Sequence, residues 1–206
     1  NAVPFAIGGF SSRTVQTVVA EGEPVGFIRG YKAVLNPDNS LKEILPLQNL
    51  GSTLPTAYGN FSLSASYKNL SFMLSGDYQY GAYVHSFDRQ FRFSKGLKDD
   101  AIPEKALEGL DQGANWLNFT NFFVEKSDFL KIRNIGIAYD YKPKKYLKSV
   151  NLAFNVYNPF AFTASSVDPE AALAGARSQG AVAVGGLNYS SYSTPRQYVG
   201  TIRVSF

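Results

Sequence analysis

Residues 57–81 read "AYGNFSLSASYKNLSFMLSGDYQYG" and hold two runs of strict alternation. In the first, Ala57, Gly59, Phe61, Leu63, Ala65 and Tyr67 alternate with Tyr58, Asn60, Ser62, Ser64 and Ser66. After Lys68 and Asn69 the period resumes, with Leu70, Phe72, Leu74, Gly76, Tyr78 and Tyr80 against Ser71, Met73, Ser75, Asp77 and Gln79. Successive side chains of a strand point to opposite faces, so each run predicts a strand with one apolar face, and the two-residue link makes the pair a hairpin. Each run is about 11 residues long, the length at which a tilted strand crosses a bilayer; strands of soluble domains are nearer about 5 or 6. The second face points the same way. A soluble sandwich commonly sets Lys and Glu toward water, whereas here the face carries Ser, Asn, Gln and one Asp. Such groups suit the wet interior of a large barrel, and tyrosines near strand ends suit its interfacial girdle.

Working outward, five further segments are expected as strands: Arg13 to Ala20, Phe27 to Val34, Phe129 to Tyr141, Val150 to Asn158 and Pro195 to Phe206. In the fourth, Val150, Leu152, Phe154 and Val156 oppose Asn151, Ala153, Asn155 and Tyr157. In "FLKIRNIGIAYDY", Leu130 and Ile132 lie on one phase and Ile135, Ile137, Tyr139 and Tyr141 on the other, which a bulge near Asn134 reconciles. The connections then run roughly 6, 22, 2, 47, 8 and 36 residues, short and long in turn. Outer-membrane barrels have short periplasmic turns and long extracellular loops, while loops beyond about 12 to 15 residues are uncommon in compact domains. The pattern puts 35–56, 82–128 and 160–194 outside and the neighbourhoods of Glu21, Lys68 and Lys145 in the periplasm. Short helices are expected at "IPEKALEGL", with Pro103 in the first turn, and in "DPEAALAGARSQG".

Composition narrows the chemistry. The 206 residues include 13 Tyr and 16 Phe but no Cys, one Met, one Trp and one His, so disulfide frameworks, thiolate metal sites and histidine-cluster sites are excluded. Charged residues are 17% against about 25% in soluble proteins, an uncharged bias that fits a membrane wall. Net charge is +4 without a cationic run, which gives no nucleic-acid footprint. No apolar run reaches the roughly 18 residues of a membrane helix, and the opening stretch is expected to be neither a signal peptide nor a helix anchor. Neither a nucleophile and base pair nor a phosphate-cradling loop is present, so neither an enzyme nor a cofactor is expected.

Several stretches carry a family resemblance. Phe129 to Arg133 opens a strand with Phe-Leu-basic; Pro143 to Lys148 is a lysine-rich turn; Asn158 to Phe162 leads into an aromatic loop; Asp168 to Glu170 is Asp-Pro-Glu; and Tyr192 to Phe206 carries Tyr-x-x-Pro-Arg into a last strand ending in Phe. Together these resemble the C-terminal part of the SusC/RagA family of TonB-dependent outer-membrane transporters. "GEPVGFIRGYKAV" and the hairpin at 57–81 look like late-barrel hairpins of that family, so the resemblance covers nearly the whole chain. It implies an all-β fold in which antiparallel transmembrane strands, about seven here, belong to a larger barrel of about 22 strands with long extracellular loops. Residues 1–206 would then be one C-terminal barrel segment without plug or signal peptide, located in the outer membrane of a Gram-negative bacterium. The implied activity is TonB-driven import of oligosaccharides or peptides. The implied partners are the remaining barrel and plug, a SusD-like surface lipoprotein, the TonB complex, the barrel-assembly machinery and outer-membrane lipid. A structural or adhesive barrel without an energised gate is the first alternative; a soluble carbohydrate-binding β-sandwich is the second.

Candidate residues follow. Trp116, in "GANWLNFTNFF", either stacks on a ligand or anchors its loop, and Asp168 and Glu170 either cap a helix or meet a cation or lid. Asp77, Gln79, Asn151 and Asn155 are expected to face the lumen, against the plug or along a permeation path. Tyr198, Gly200, Ile202, Val204 and Phe206 form an apolar row resembling the signal read by the assembly machinery. His85 is expected as a solvent-exposed loop residue. Lys142, Lys144, Lys145 and Lys148 are expected to solvate a periplasmic turn.

Overall fold

The hairpin of 57–81 forms with the limits its alternation sets. The computed structural model describes residues 5–9, 15–143, 147–170, 186–188 and 192–206. Strand outweighs helix, 54% to 14%, which makes the fold all-β and mostly antiparallel. The strands are β1 (Phe5–Gly9), β2 (Gln16–Val19), β3 (Phe27–Leu35), β4 (Leu41–Ser52), β5 (Ala57–Tyr67), β6 (Leu70–Tyr80), β7 (Tyr83–Ser86), β8 (Val124–Lys126), β9 (Phe129–Tyr141), β10 (Ser149–Thr163), β11 (Leu187–Asn188) and β12 (Gln197–Ser205). The helices are α1 (Phe87–Ser94) and α2 (Gln112–Asn115), with 3-10 turns at Glu104–Leu107 and Trp116–Phe123. Among the described residues no helix is long and apolar enough to cross a membrane.

The chain folds as two units. One, built from Ala57–Gln79, Phe129–Phe162 and Thr194–Phe206, is an open five-stranded sheet ordered β12-β10-β9-β6-β5. Between β6 and β9, Leu70, Phe72 and Leu74 face Tyr139, Ile137 and Ile135. The register then slips, Ser75 pairing with Asn134 but Gly76 with Ile132. Arg133 is therefore the extra residue of a bulge, which returns Ile132 and Leu130 to the apolar face, as expected near Asn134. Between β10 and β12, Val150, Leu152, Phe154 and Val156 face Val204, Ile202, Gly200 and Tyr198, and the Phe154 and Tyr198 rings stack at 6.5 Å. Aromatic rings fill the gaps left by glycines on neighbouring strands: a Cβ on Gly76 would run into Phe61, and one on Gly59 would stand 3.0 Å from Tyr78.

What this sheet lacks is a core. Apart from Pro159, every buried apolar side chain among the described residues belongs to the other unit, while Ile137 (48%), Leu152 (44%) and Ile202 (75%) stay open. A β-sandwich would cover this face with a second sheet, and no second sheet lies on it within the unit. The soluble-sandwich alternative is not supported.

The other unit is built from Asn1–Thr56, Tyr80–Asp128 and Thr163–Ser193. It corrects two expectations. Residues 35–56 are not a loop, because β4 lies within them and pairs along β3 in the sheet β1-β2-β3-β4. The sequence hides β4 because its register slips three times. Opposite the single residues Ile28 and Tyr31 stand the pairs Leu50-Gly51 and Pro46-Leu47, and Lys42 has no partner between Glu43 and Leu41. The 12 residues of β4 thus match the 9 of β3 with three bulged positions, which erases period two. Pro46 is tolerated because β4 is the sheet's edge and the bulge leaves its position unpaired; Leu47 beside it takes φ 52.

Residues 82–128 are likewise folded rather than an irregular loop. Phe93, Phe119 and Phe123 from α1 and the Trp116–Phe123 turn bury against Ala33, Ile102 and Ala106 as one core. Ring centroids lie 5.7 Å apart for Phe93 and Phe119 and 5.6 Å for Phe93 and Phe123. The side chain of Asn121 stands in for a neighbouring strand: its Oδ1 accepts from the Ala33 N–H at 2.9 Å and its Nδ2 donates to the Ala33 carbonyl. A second core joins Val15, Ile28 and Leu187, and β11 lies parallel to β7. The helix expected around Pro103 is one 3-10 turn at Glu104–Leu107 with Pro103 at its N-cap. Residues 171–180 of the second expected helix lie outside the described residues.

Candidate functional site

The densest charge constellation gathers around α1. Ser86 caps the helix, its Oγ accepting from the Arg89 N–H at 3.4 Å, and this orients the first turn so that Arg89 reaches two carboxylates. Its Nε donates to Asp99 Oδ2 at 2.9 Å, and its two terminal nitrogens donate to Asp99 Oδ1 and Glu125 Oε1. The guanidinium also lies over the Phe123 ring, 5.7 Å from its centroid. Glu125 in turn accepts from the Ser166 N–H and from Ser166 Oγ at 2.7 Å. One arginine thereby ties four chain segments together. A cleft of about 620 Å³ opens beside it, lined by Asp88, Arg92, Lys98, Asp100 and Ser166 among others. A second cleft of about 530 Å³ shares Lys98, Asp99 and Asp100 and continues along Ile102, Glu104, Leu107 and Glu108.

These clefts are edged by exposed ion pairs. Lys98 pairs with Glu104, which raises the lysine pKa and lowers that of the carboxyl, chiefly through their hydrogen bond. Lys105 reaches Asp38 in the β3–β4 turn at 2.7 Å; that hydrogen bond, with two more from Ser40, holds Asp38 far below the ordinary carboxylate range. The surface offers both signs of charge within a short span and suits a zwitterionic or polar ligand. Among the described residues no three His, Asp or Glu gather as a metal site.

His85 is not a solvent-exposed loop residue: it is fully buried. Its Nε2 lies 2.6 Å from Gln90 Oε1, and Gln90 Nε2 donates to Thr120 Oγ1 at 2.9 Å and to the Trp116 carbonyl. Because the Gln90 amide is spent as donor on Thr120 and Trp116, its oxygen takes the His85 Nε2–H, and Nδ1 is left without a partner. Desolvation is the main reason its pKa falls to about 4.

The expected site residues separate into three places. Trp116 is half-buried against the core, edge-on to Phe87 at 6.1 Å, which fits an anchor better than a stacking platform. Asp168 Oδ1 accepts from the Glu170 N–H at 3.1 Å, a local turn cap. Asp77, Gln79, Asn151 and Asn155 share the polar face of the five-stranded sheet, though not as free groups. Asp77 takes two hydrogen bonds from Arg133, at 2.6 and 2.7 Å, Asn151 donates to Asp140 Oδ1 at 2.8 Å, and the Asn155 amide fills the space that a side chain on Gly136 would need. Tyr198, Gly200, Ile202 and Val204 line the apolar face, and Phe206 lies exposed beyond the last strand. Lys142 and Lys148 are exposed; Lys144 and Lys145 lie outside the described residues.

The sequence reading missed Arg89, Asp99, Glu125 and Arg133. For Arg133 a signal existed: the bulge that rescues the apolar phase also turns this residue onto the face of Asp77. For the Arg89 cluster, partners 10 and 36 residues apart in the chain gave none.

No protein-family model matches the chain, and no curated protein matches it. Among solved structures it is similar to the RagAB peptide importer in its "open-open" state (TM-score 0.55, 20% identity) and its "closed-closed" state (0.59, 21%), and to the RagAB peptide transporter (0.55, 22%). Each likeness covers 100% of this chain and 22% of the other, so the chain spans about a fifth of the length of the proteins it matches.

Proposed function

We propose that this chain is wall and external-loop structure of an outer-membrane nutrient importer of the SusC/RagA type, with peptides or oligosaccharides as cargo. The single observation that carries the reading is the five-stranded sheet, whose strands of 9 to 15 residues present an apolar face that, among the described residues of its own unit, no second layer covers. A wide exposed apolar face needs an apolar partner, and strands this long match a bilayer. The opposite face, with Asp77–Arg133 and Asn151–Asp140, would line the lumen or meet a plug. The folded unit around α1 would stand outside, its charged clefts available to cargo or to a SusD-like lipoprotein. Energy would come from TonB acting on a plug, and insertion from the barrel-assembly machinery. The chain itself would perform no catalysis.

The test uses the two faces within the full-length protein. Leu74, opposite Ile135, should cost about 2 to 4 kcal/mol when replaced by Arg near the bilayer midplane, whereas Ser75→Arg, opposite Asn134, should cost much less. Heat-modifiable migration of the inserted protein reads the difference, and equal losses would sink the reading. Uptake that survives dissipation of the proton-motive force would favour the structural or adhesive barrel instead.

A further inference from the structure

The apolar face of the five-stranded sheet is not uniform. A groove of about 460 Å³ is set into it, walled by Leu70, Ile137, Tyr139, Leu152, Phe154 and Ile202. Its cause is Gly200: the residue pairs with Phe154, and a Cβ placed on it would meet no heavy atom within 4 Å. A side chain of ordinary size there would close the trough, so the missing side chain makes a slot wide enough for a hydrocarbon chain.

One end of the slot is basic. Leu70 and Tyr139 close it, and at that end Lys68 and Lys148 stand two residues ahead of Leu70 and Val150 on the apolar phase, whereas Asp140, Lys142 and Arg203 fall on the phase of the polar face, Arg203 pairing with Asn151. Asp140 does not offset the slot, because its carboxylate accepts from Asn151 on the polar face. Lys68 does reach the slot's own face: its ammonium lies over the Tyr67 ring, 5.2 Å from the centroid, and Tyr67 belongs to the apolar row of β5. Lys68 lies in the two-residue turn that leads into β6, two residues ahead of Leu70 in the slot's wall, as a headgroup phosphate lies ahead of the first methylenes of its acyl chain.

We infer that this groove is a binding site for an anionic glycerophospholipid, with an acyl chain lying over Gly200 and the phosphate held by Lys68 with Lys148 beside it. It rests on the wall reading above, because only a sheet facing lipid presents the slot to phospholipid. The charge balance selects the occupant: a neutral or zwitterionic lipid would fill the trough equally well but leave the lysine rim unmatched.

The full-length protein is extracted from producing cells in mild detergent, mixed with equal amounts of phosphatidylglycerol and phosphatidylethanolamine, and examined by native mass spectrometry. Wild type retains phosphatidylglycerol in preference. Lys68→Gln lowers that retention about fivefold, the effect of one lysine at an anionic headgroup, and leaves phosphatidylethanolamine unchanged. Gly200→Phe, or Gly200→Leu if the first fails to insert, removes both lipids. Equal retention of the two lipids by wild type, equal retention by wild type and the Gly200 variants, or lipopolysaccharide held in place of phospholipid would each overturn the site. Those results leave the wall reading intact when the protein still requires detergent for extraction; release without detergent overturns both.

Discussion

His85 allows a quantitative test of how the α1 unit holds together. The imidazole is fully buried and neutral, and its pKa lies near 4 against 6.5 for a free histidine. Between those values the unfolded chain binds a proton that the folded chain refuses, so stability falls as pH falls; above 6.5 neither state is protonated and below 4 both are. A difference of about 2.5 units at 1.36 kcal/mol each gives a loss of about 3 kcal/mol between pH 7 and pH 4. Asp38 and Glu104 do not mimic this, since lowered carboxyl pKa values contribute stability above about 4.5 and lose it only as pH falls further. Hydrogen exchange of the full-length protein, corrected for intrinsic rates, should show peptides covering 83–94 and 116–126 opening more readily below pH 6.5, at a slope approaching one proton. His85→Gln retains an amide donor for Gln90 and removes the titration, so its slope over the same window should be flat. A wild-type slope of zero, or one that His85→Gln leaves unchanged, would refute the assignment of a neutral, buried imidazole.

Two further outcomes are expected. Arg89→Gln leaves the carboxylates of Asp99 and Glu125, 11% and 16% exposed, without their shared cation; a local loss of about 2 to 3 kcal/mol should appear as faster exchange at 97–100 and 163–168, while the sheet's peptides stay protected. Asp77→Asn and Arg133→Gln, singly and together, should give a coupling of about 1 to 2 kcal/mol in the folded, heat-modifiable protein; a coupling near zero would mean that the bidentate pair is not maintained in the intact wall.

How much of this was legible depended on whether a pattern survives in one dimension. β5, β6 and β9 were readable to their limits because period two persists, and even the bulge at Arg133 announced itself as a phase slip between Ile132 and Ile135. β4 was not readable, because three slips in 12 residues leave no run long enough to establish a period. The polar face was legible as a face but not as a network: Asp77 was placed, while its partner Arg133 depended on pairing between distant strands. His85 was misjudged because one histidine in a long connection gives no sign of burial until the Gln90 and Thr120 hydrogen bonds are known.

The aromatic bias of the chain has two physical uses, and neighbouring residue types separate them. Along β6, β9 and β10 the aromatic and aliphatic residues alternate mostly with small or polar ones, and the face they build remains exposed, as in Phe72, Tyr139 and Phe154. Between Phe87 and Phe123 the spacing changes. Trp116, Phe119, Phe122 and Phe123 recur at intervals of three and four, the period of a helical face, and they pack with Phe93 into a core of their own. Charged residues follow the same division: Arg89, Asp99 and Glu125 tie segments of the aromatic core together, while the apolar face of the sheet carries no charge until its rim at Lys68. A core made from its own rings has no need of surroundings. A face without one stays open within its own sheet, and the spacing of the aromatic residues, more than their number, identifies which kind each segment is.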